Sequence, residues 1–109
     1  MRTATVAAAL ALVVGIVGYT AAASKARTHT VTIEDMRFQP AVLVVAPGDT
    51  IVWVNKDLVP HTATSQKGGF DSKVILASES WRHTVQKKKG DLAYICTLHP
   101  AMKGTLRVK

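Results

Sequence analysis

The sequence has 109 residues, of which 14 are Lys or Arg and 7 are Asp or Glu, so its formal charge is +7 near neutral pH. That length holds one domain and leaves no room for a two-domain enzyme or a dinucleotide fold with a substrate domain. A single cysteine, Cys96, excludes an internal disulfide framework and any multi-cysteine zinc or iron–sulfur site within the chain. The basic excess favours acidic partners or surfaces and carries no information about fold.

The N-terminus reads as a separate segment. Arg2 is followed by no charged residue until Lys25, and the run from Ala4 to Gly18 is almost wholly apolar. A basic start, a short apolar run and Ala21-Ala22-Ala23 predict a secretory signal peptide over residues 1–23, cut after Ala23 or, in a second register, after Ala26. The competing expectation is an uncleaved membrane anchor, because the uncharged run is just long enough to span a bilayer. Cleavage leaves residues 24–109 as the mature domain, with 13 basic and 7 acidic side chains. A domain this small buries a modest core and gains from a staple; with no disulfide, a bound metal is the candidate.

Beyond residue 23 no stretch of useful length has helical periodicity, while strand signals separated by turns recur along the chain. His29-Thr30-Val31-Thr32-Ile33 alternates polar and apolar. Ala41–Val45 is an apolar run that stops at the turn Pro47-Gly48-Asp49. Thr50–Val54 is β-branched and aromatic and ends at Asn55-Lys56-Asp57. Gly68-Gly69 marks a loop. Ser80–Val85 alternates, with Trp81, His83 and Val85 on one face. Lys87-Lys88-Lys89-Gly90-Asp91 reads as a charged turn. Leu92–Cys96 and Gly104–Val108 complete the set, the latter with Leu106 and Val108 inward and Arg107 and Lys109 outward. The expected fold class is all-β, a sandwich or small barrel.

The chemistry gathers in Cys96-Thr97-Leu98-His99-Pro100-Ala101-Met102, which carries a thiol, an imidazole and a thioether within seven residues between two strands. A fourth donor, His61, follows Pro60 just past an earlier strand. Two His and one Cys with a weak axial Met is the donor set of a blue-copper electron-transfer site. Thiolate suits Cu(I) and imidazole suits both oxidation states, so such a set tolerates electron gain and loss with little rearrangement. Zinc would accept Cys and His but has little use for Met. A nucleophilic Cys–His pair lacks a third orienting group and space for a substrate cleft.

These residues carry a resemblance to a known family. Pro47–Asn55, Pro60-His61-Thr62 and Tyr94–Gly104 resemble the cupredoxins, specifically the small single-domain blue copper proteins of the amicyanin and plastocyanin type, over roughly residues 28–109. The two-residue intervals from Cys96 to His99 and from His99 to Met102 are similar to the short amicyanin-like loop. The resemblance implies a Greek-key β-sandwich of seven or eight strands. It implies one copper ion, with His61, Cys96 and His99 as the trigonal ligands and Met102 as the weak axial ligand. It also implies that the Thr62 backbone N–H donates to the Cys96 sulfur, with Thr97 as the side-chain partner of Thr62. The family commonly has Asn where Thr62 stands. Tyr94 is expected in the core, His83 at a core or rim position, and His29 near the start of the domain.

The resemblance further implies that the His99 ring edge reaches the surface within an apolar patch formed by Leu58, Val59, Pro60, Leu98, Pro100 and Ala101. Redox proteins, as donor and acceptor, would dock there. The basic balance adds the expectation that their docking faces are acidic. Nucleic acid is not expected as a partner, since the lysines are scattered over turns without an aromatic platform. A membrane is expected only if the N-terminal segment stays uncleaved. The chain is thus expected to be a monomeric, exported, periplasmic copper protein that is not an enzyme and that carries single electrons. A copper carrier or metallochaperone that hands over the ion is the alternative.

Overall fold

The computed structural model describes residues 25–67, 69–86 and 88–109, together with positions 3, 4, 9, 11, 13 and 15. Seven strands follow in order: β1 (Thr28–Glu34), β2 (Arg37–Gln39), β3 (Val42–Val45), β4 (Thr50–Asn55), β5 (Ser80–Thr84), β6 (Gly90–Ile95) and β7 (Lys103–Val108). The expected signal peptide or anchor over residues 1–23 lies largely outside the described residues, as do Gly68 and Lys87. Among the described residues, no helix is long and apolar enough to cross a membrane.

The strands form two sheets, β2-β1-β4-β5 and β3-β7-β6. Period-two patterning builds the layer between them. In β4 the side chains of Ile51, Trp53 and Asn55 are buried and alternate with half-buried neighbours; in β7 Gly104, Leu106 and Val108 are the buried positions. Val31, Ile33, Phe38, Ile51 and Trp53 of the first sheet meet Leu92, Tyr94, Leu106 and Val108 of the second. Every residue of this core lies between Val31 and Val108. The expected all-β sandwich is present, and Arg107 and Lys109 do point outward.

Two local expectations need correction. Gly90 and Asp91 belong to β6 rather than to a charged turn, because Gly90 pairs with Val108 and Asp91 with Arg107. The sequence reading also lacks β2. This strand has three residues and follows a two-residue turn in which Asp35 and Met36 both have positive φ (54° and 59°). Asp tolerates that conformation, but Met gives no such signal. The turn is held from a distance: the backbone N–H groups of Asp35 and Met36 donate to the Asp57 carboxylate at 2.8 and 3.0 Å.

Parallel pairing gives the sandwich two different ends. β1 runs parallel to β4 and β3 to β7, while β5 and β6 run antiparallel to β4 and β7. One end therefore collects the exits of β1, β4 and β6 and the starts of β5 and β7. The other collects the starts of β1, β4 and β6 and the exits of β5 and β7. At this second end Asp49 is buried and accepts the Arg27 N–H (2.9 Å), the Ala46 N–H (3.0 Å) and the His29 ring Nε2 (2.8 Å). The Arg27 and Ala46 backbone donors, helped by His29, pull its carboxyl down to about 2.

Two outcomes follow. A carboxylate whose folded pKa lies below its unfolded value of about 4 adds stability above that value, and the gain fades as pH falls toward about 2. Asp49→Asn should cost roughly 1–2 kcal/mol at pH 7 and flatten the loss of stability between pH 4 and 2, read from urea midpoints across a pH series. Gly104 faces the Tyr94 ring so closely that an added Cβ would lie 2.2 Å from Tyr94 Cζ. Gly104→Ala should therefore destabilise by about 2 kcal/mol or more, measured by the same unfolding curves.

Candidate metal centre

The first end of the sandwich is where chain reversals bring donor atoms together. His61 is placed by a two-way backbone bridge to Ile75 (His61 N to Ile75 O, 3.2 Å; Ile75 N to His61 O, 2.7 Å). Asn55, buried at the end of β4, fixes the approach. Its side-chain amide donates to the carbonyls of Val59 and Ile75, both at 3.0 Å, and its Oδ1 accepts the Asp57 N–H at 2.9 Å. Cys96 follows β6 directly. Its N–H donates to Met102 O (3.2 Å), His99 N–H donates to Cys96 O (3.2 Å), and Met102 N–H donates to His99 O (2.9 Å). The short loop is thus closed by its own backbone before it enters β7.

The result is a cluster of three donors. The ligating atoms of His61, Cys96 and His99 all lie within 4.8 Å of one another. Cys96 Sγ is 3.7 Å from Nδ1 of His61 and 3.7 Å from Nδ1 of His99. A metal bonded to nitrogen at about 2.0 Å and sulfur at about 2.3 Å holds such atoms roughly 3.5–3.8 Å apart, so the cluster fits a single ion. Mixed thiol and imidazole donors, with the Met102 thioether following in the same loop, favour copper. Cys96 and His61 are fully buried, His99 is half-buried, and Met102 is buried at the base of the loop.

The surrounding hydrogen bonds act on this cluster. Thr62 N–H donates to Cys96 Sγ at 3.3 Å, as expected, and steadies negative charge on sulfur. The tie between the loops is present as well. Thr62 Oγ1 accepts the Thr97 N–H at 2.8 Å, lies 3.0 Å from Thr97 Oγ1, and accepts from Thr64 Oγ1 at 3.1 Å. Thr therefore fills the place where the family commonly has Asn, using a hydroxyl in place of an amide.

Asp57 is a candidate positioning residue that the sequence alone did not single out. Its Oδ2 lies 2.8 Å from His61 Nε2. A proton on Nε2 donates to this carboxylate and leaves Nδ1 bare toward the sulfur, the tautomer a metal ligand needs. Burial pushes the Asp57 carboxyl up, but the Met36 N–H, His61 and the Asp35 N–H outweigh it and hold it below the usual range. The available signal was the i, i+4 spacing of Asp57 and His61, hidden inside what read as a plain Asn-Lys-Asp turn.

The other two histidines lie away from the cluster. His83 stacks on Trp81 (5.7 Å between centroids, 12°) and packs on Phe70, where burial lowers its pKa. His29 is engaged by Asp49 at the opposite end. Tyr94 is a core residue, edge-on to Phe38 and Trp53, and burial pushes its hydroxyl up to about 12.

Around the cluster the surface is apolar. Leu58 is 95% exposed, Leu98 49% and Val59 42%, and Pro60, Pro100 and Ala101 are also exposed. Val74 and Leu76, which flank the Ile75 that pairs with His61, extend the exposed apolar surface. Charge at this end nearly balances: Arg37, Lys56, Lys73 and Lys103 stand beside Glu34, Asp35, Asp57, Asp71 and Glu79.

Comparisons with known proteins agree with this geometry. The family model of a cupredoxin-like domain matches residues 6–108. Amicyanin of Paracoccus versutus is 29% identical over 84 residues, covering 72% of this chain and 63% of that protein. The matched stretch thus spans just under two thirds of that relative's length. Amicyanin-alpha of Methylorubrum extorquens is 31% identical over 83 residues, covering 72% of this chain and 70% of the relative. A solved methionine-to-alanine variant of amicyanin in its Cu(I) form superposes with a TM-score of 0.70 at 25% identity, over 75% of this chain and 82% of that one. A copper-containing nitrite reductase from Thermus scotoductus superposes with a TM-score of 0.69 at 30% identity, over 75% of this chain but only 22% of its own.

The Thr62 hydroxyl joins the two donor loops, so Thr62→Ala should lower the stability of the metal-free protein by about 1–2 kcal/mol. Thr62→Ser should restore most of the loss. Urea midpoints of the three proteins check this; equal midpoints for wild type and Thr62→Ala would remove the hydroxyl from the account.

Proposed function

The chain belongs to the cupredoxin-like family, and from that premise we propose that it is an exported type 1 copper protein that carries single electrons between redox proteins. The observation that carries this reading is the assembly of one thiol and two imidazoles of opposed softness within 4.8 Å at the end of a rigid sandwich. His61, Cys96 and His99 would hold the ion, with Met102 as the weak fourth donor. Bound copper supplies a site that alternates between Cu(I) and Cu(II). The chain's own residues supply the rest. Backbone bonds close the Cys96–Met102 loop, and Thr62 and Asp57 fix the sulfur and the His61 ring, which limits rearrangement between the two states.

His99 offers the way in and out, since it is half-buried beside Leu98 and Pro100. A small apolar surface suits brief encounters with quick release. Redox proteins would dock on this patch. An acidic partner face would meet Lys56 and Lys103 here but also Glu34, Asp35 and Glu79, so the apolar contact carries the docking and charge plays the smaller part. Leu58, Pro60, Leu98 and Pro100 supply no proton donor or nucleophile, which supports a carrier over an enzyme. The full burial of Cys96 and His61 supports retention of the ion over its delivery as a metallochaperone would require. Export to the periplasm rests on Arg2, the apolar run and Ala21-Ala22-Ala23. The domain works as a monomer in this reading.

Adding Cu(II) to the metal-free protein should bind one ion per chain and produce an intense blue absorption that Cys96→Ser abolishes. A colourless protein, or colour that survives the substitution, would sink the assignment. In stopped-flow mixing with a redox protein, the blue band should bleach and return while copper stays with this chain. Transfer of the ion itself would establish the delivery reading instead.

A further inference from the structure

The unpaired positive charge of the domain is densest at the end remote from the donor cluster, where basic side chains outnumber acidic ones. Lys25 and Arg27 precede β1, Lys88 and Lys89 lie between β5 and β6, and Lys109 follows β7; all five are exposed. Strand register brings them onto one rim. Thr28 is opposite Thr50, Thr50 opposite Thr84, and Gly90 opposite Val108. Lys25, Arg27 and Lys109 line a single shallow cleft of about 300 Å³ beside Pro47. Among the described residues, none of the five takes part in an ion pair. The acids at this end are already engaged: Asp49 is buried against His29, and Asp91 is bound by Arg107 at 3.1 Å. The two ends thus differ sharply, one nearly balanced and apolar around the donors, the other carrying an unneutralised basic rim.

The same rim is where the chain enters the domain. The uncharged stretch from Thr3 to Ser24 leads directly into Lys25 and Arg27. Basic residues next to an apolar segment meet lipid headgroups, and each contributes to attraction by an anionic bilayer surface. We infer that this end is a membrane-facing surface: Lys25, Arg27, Lys88, Lys89 and Lys109 settle on anionic lipid headgroups and hold the donor end away from the bilayer. The contact is available whether the N-terminal segment is kept or cut after Ala23; a cut after Ala26 removes Lys25 and leaves the other four. Retained, that segment places the rim at the headgroups; removed, it leaves a peripheral, salt-sensitive contact. An acidic protein face would also answer to basic charge. The lipid surface is favoured because the apolar segment joins the domain at this rim. The inference is independent of metal binding.

Among the described residues every core side chain lies within 31–108, so the piece 24–109, beside the full chain, serves for the test. It should co-sediment with phosphatidylcholine vesicles containing about one third phosphatidylglycerol, at least ~10-fold more strongly than with pure phosphatidylcholine. Raising salt from about 20 mM to about 0.5 M should release it. Joint substitution of Lys25, Arg27, Lys88, Lys89 and Lys109 by Gln should lower partitioning by ~10-fold or more, while Lys56→Gln with Lys103→Gln at the donor end should leave it unchanged. Equal loss in both variants, or no preference for phosphatidylglycerol, overturns the inference and leaves an acidic protein face as the partner of the rim. Blue colour on Cu(II) addition, recorded for every variant, reports folding and metal binding separately from vesicle binding.

Discussion

The site depends on one cross-link between loops far apart in sequence. Cys96 and Thr97 leave β6, while His61 and Thr62 lie 35 residues earlier, and neither segment is a regular element. Thr62 joins them twice, through its N–H to the Cys96 sulfur and through its hydroxyl to the Thr97 N–H. Both bonds come from one residue that immediately follows the candidate metal donor His61. The two loops therefore cannot separate without breaking a buried hydrogen bond to the Cys96 sulfur and a partly buried one to the Thr97 N–H, the first costly to leave unmade. That constraint lets the donor atoms converge to ion-sized spacing through the protein's own bonds.

Asp57 extends the same logic outward. One carboxylate receives the backbone of the left-handed Asp35-Met36 turn and the ring of His61. A left-handed hairpin turn and a candidate metal donor thus share an anchor, and Asn55 beneath it fixes the loop by three bonds of its own. The hairpin that carries β2 is tied to the site although none of its residues is a ligand. Substitutions at Asp57 would loosen two elements at once, which makes it a positioning residue for both.

Much of this was legible in the sequence, for identifiable reasons. Period-two alternation marked β1, β5 and β7, because each presents one face to the interior, and β-branched and aromatic composition marked β4. The ligand loop was legible because three unlike donors at fixed short spacing rarely arise from packing alone. The Thr62–Thr97 tie was reached through the family resemblance. β2 escaped because three residues after a methionine in left-handed backbone leave no periodic trace. Gly90 and Asp91 looked like turn residues, yet edge pairing with Val108 and Arg107 recruits them into β6. Asp57 escaped for a third reason: its role rests on long-range contacts with Asp35 and Met36, and local sequence does not report tertiary partners. The basic rim also escaped, because Lys25 and Arg27, Lys88 and Lys89, and Lys109 are far apart in sequence and strand pairing alone brings them to one end.

That gathering follows from topology. β1 and β4 are parallel, so the start of the domain and the start of β4 lie at the same end, and the exit of β4 carries His61 to the other. β6 and β7 are antiparallel neighbours joined by the candidate ligand loop, so the start of β6 and the exit of β7 lie at the end where the domain starts, opposite the donors. Whatever precedes residue 25 is therefore attached as far from the donors as the strands allow. The strand pairing that assembles the donors at one end also separates them from the point of attachment. The two ends can accordingly differ in charge without interfering: a basic rim set close to Cys96 would pull on its thiolate and on any ion it holds, whereas a rim one strand length away, screened over a Debye length of about 8–10 Å, leaves the donor cluster to its own hydrogen bonds.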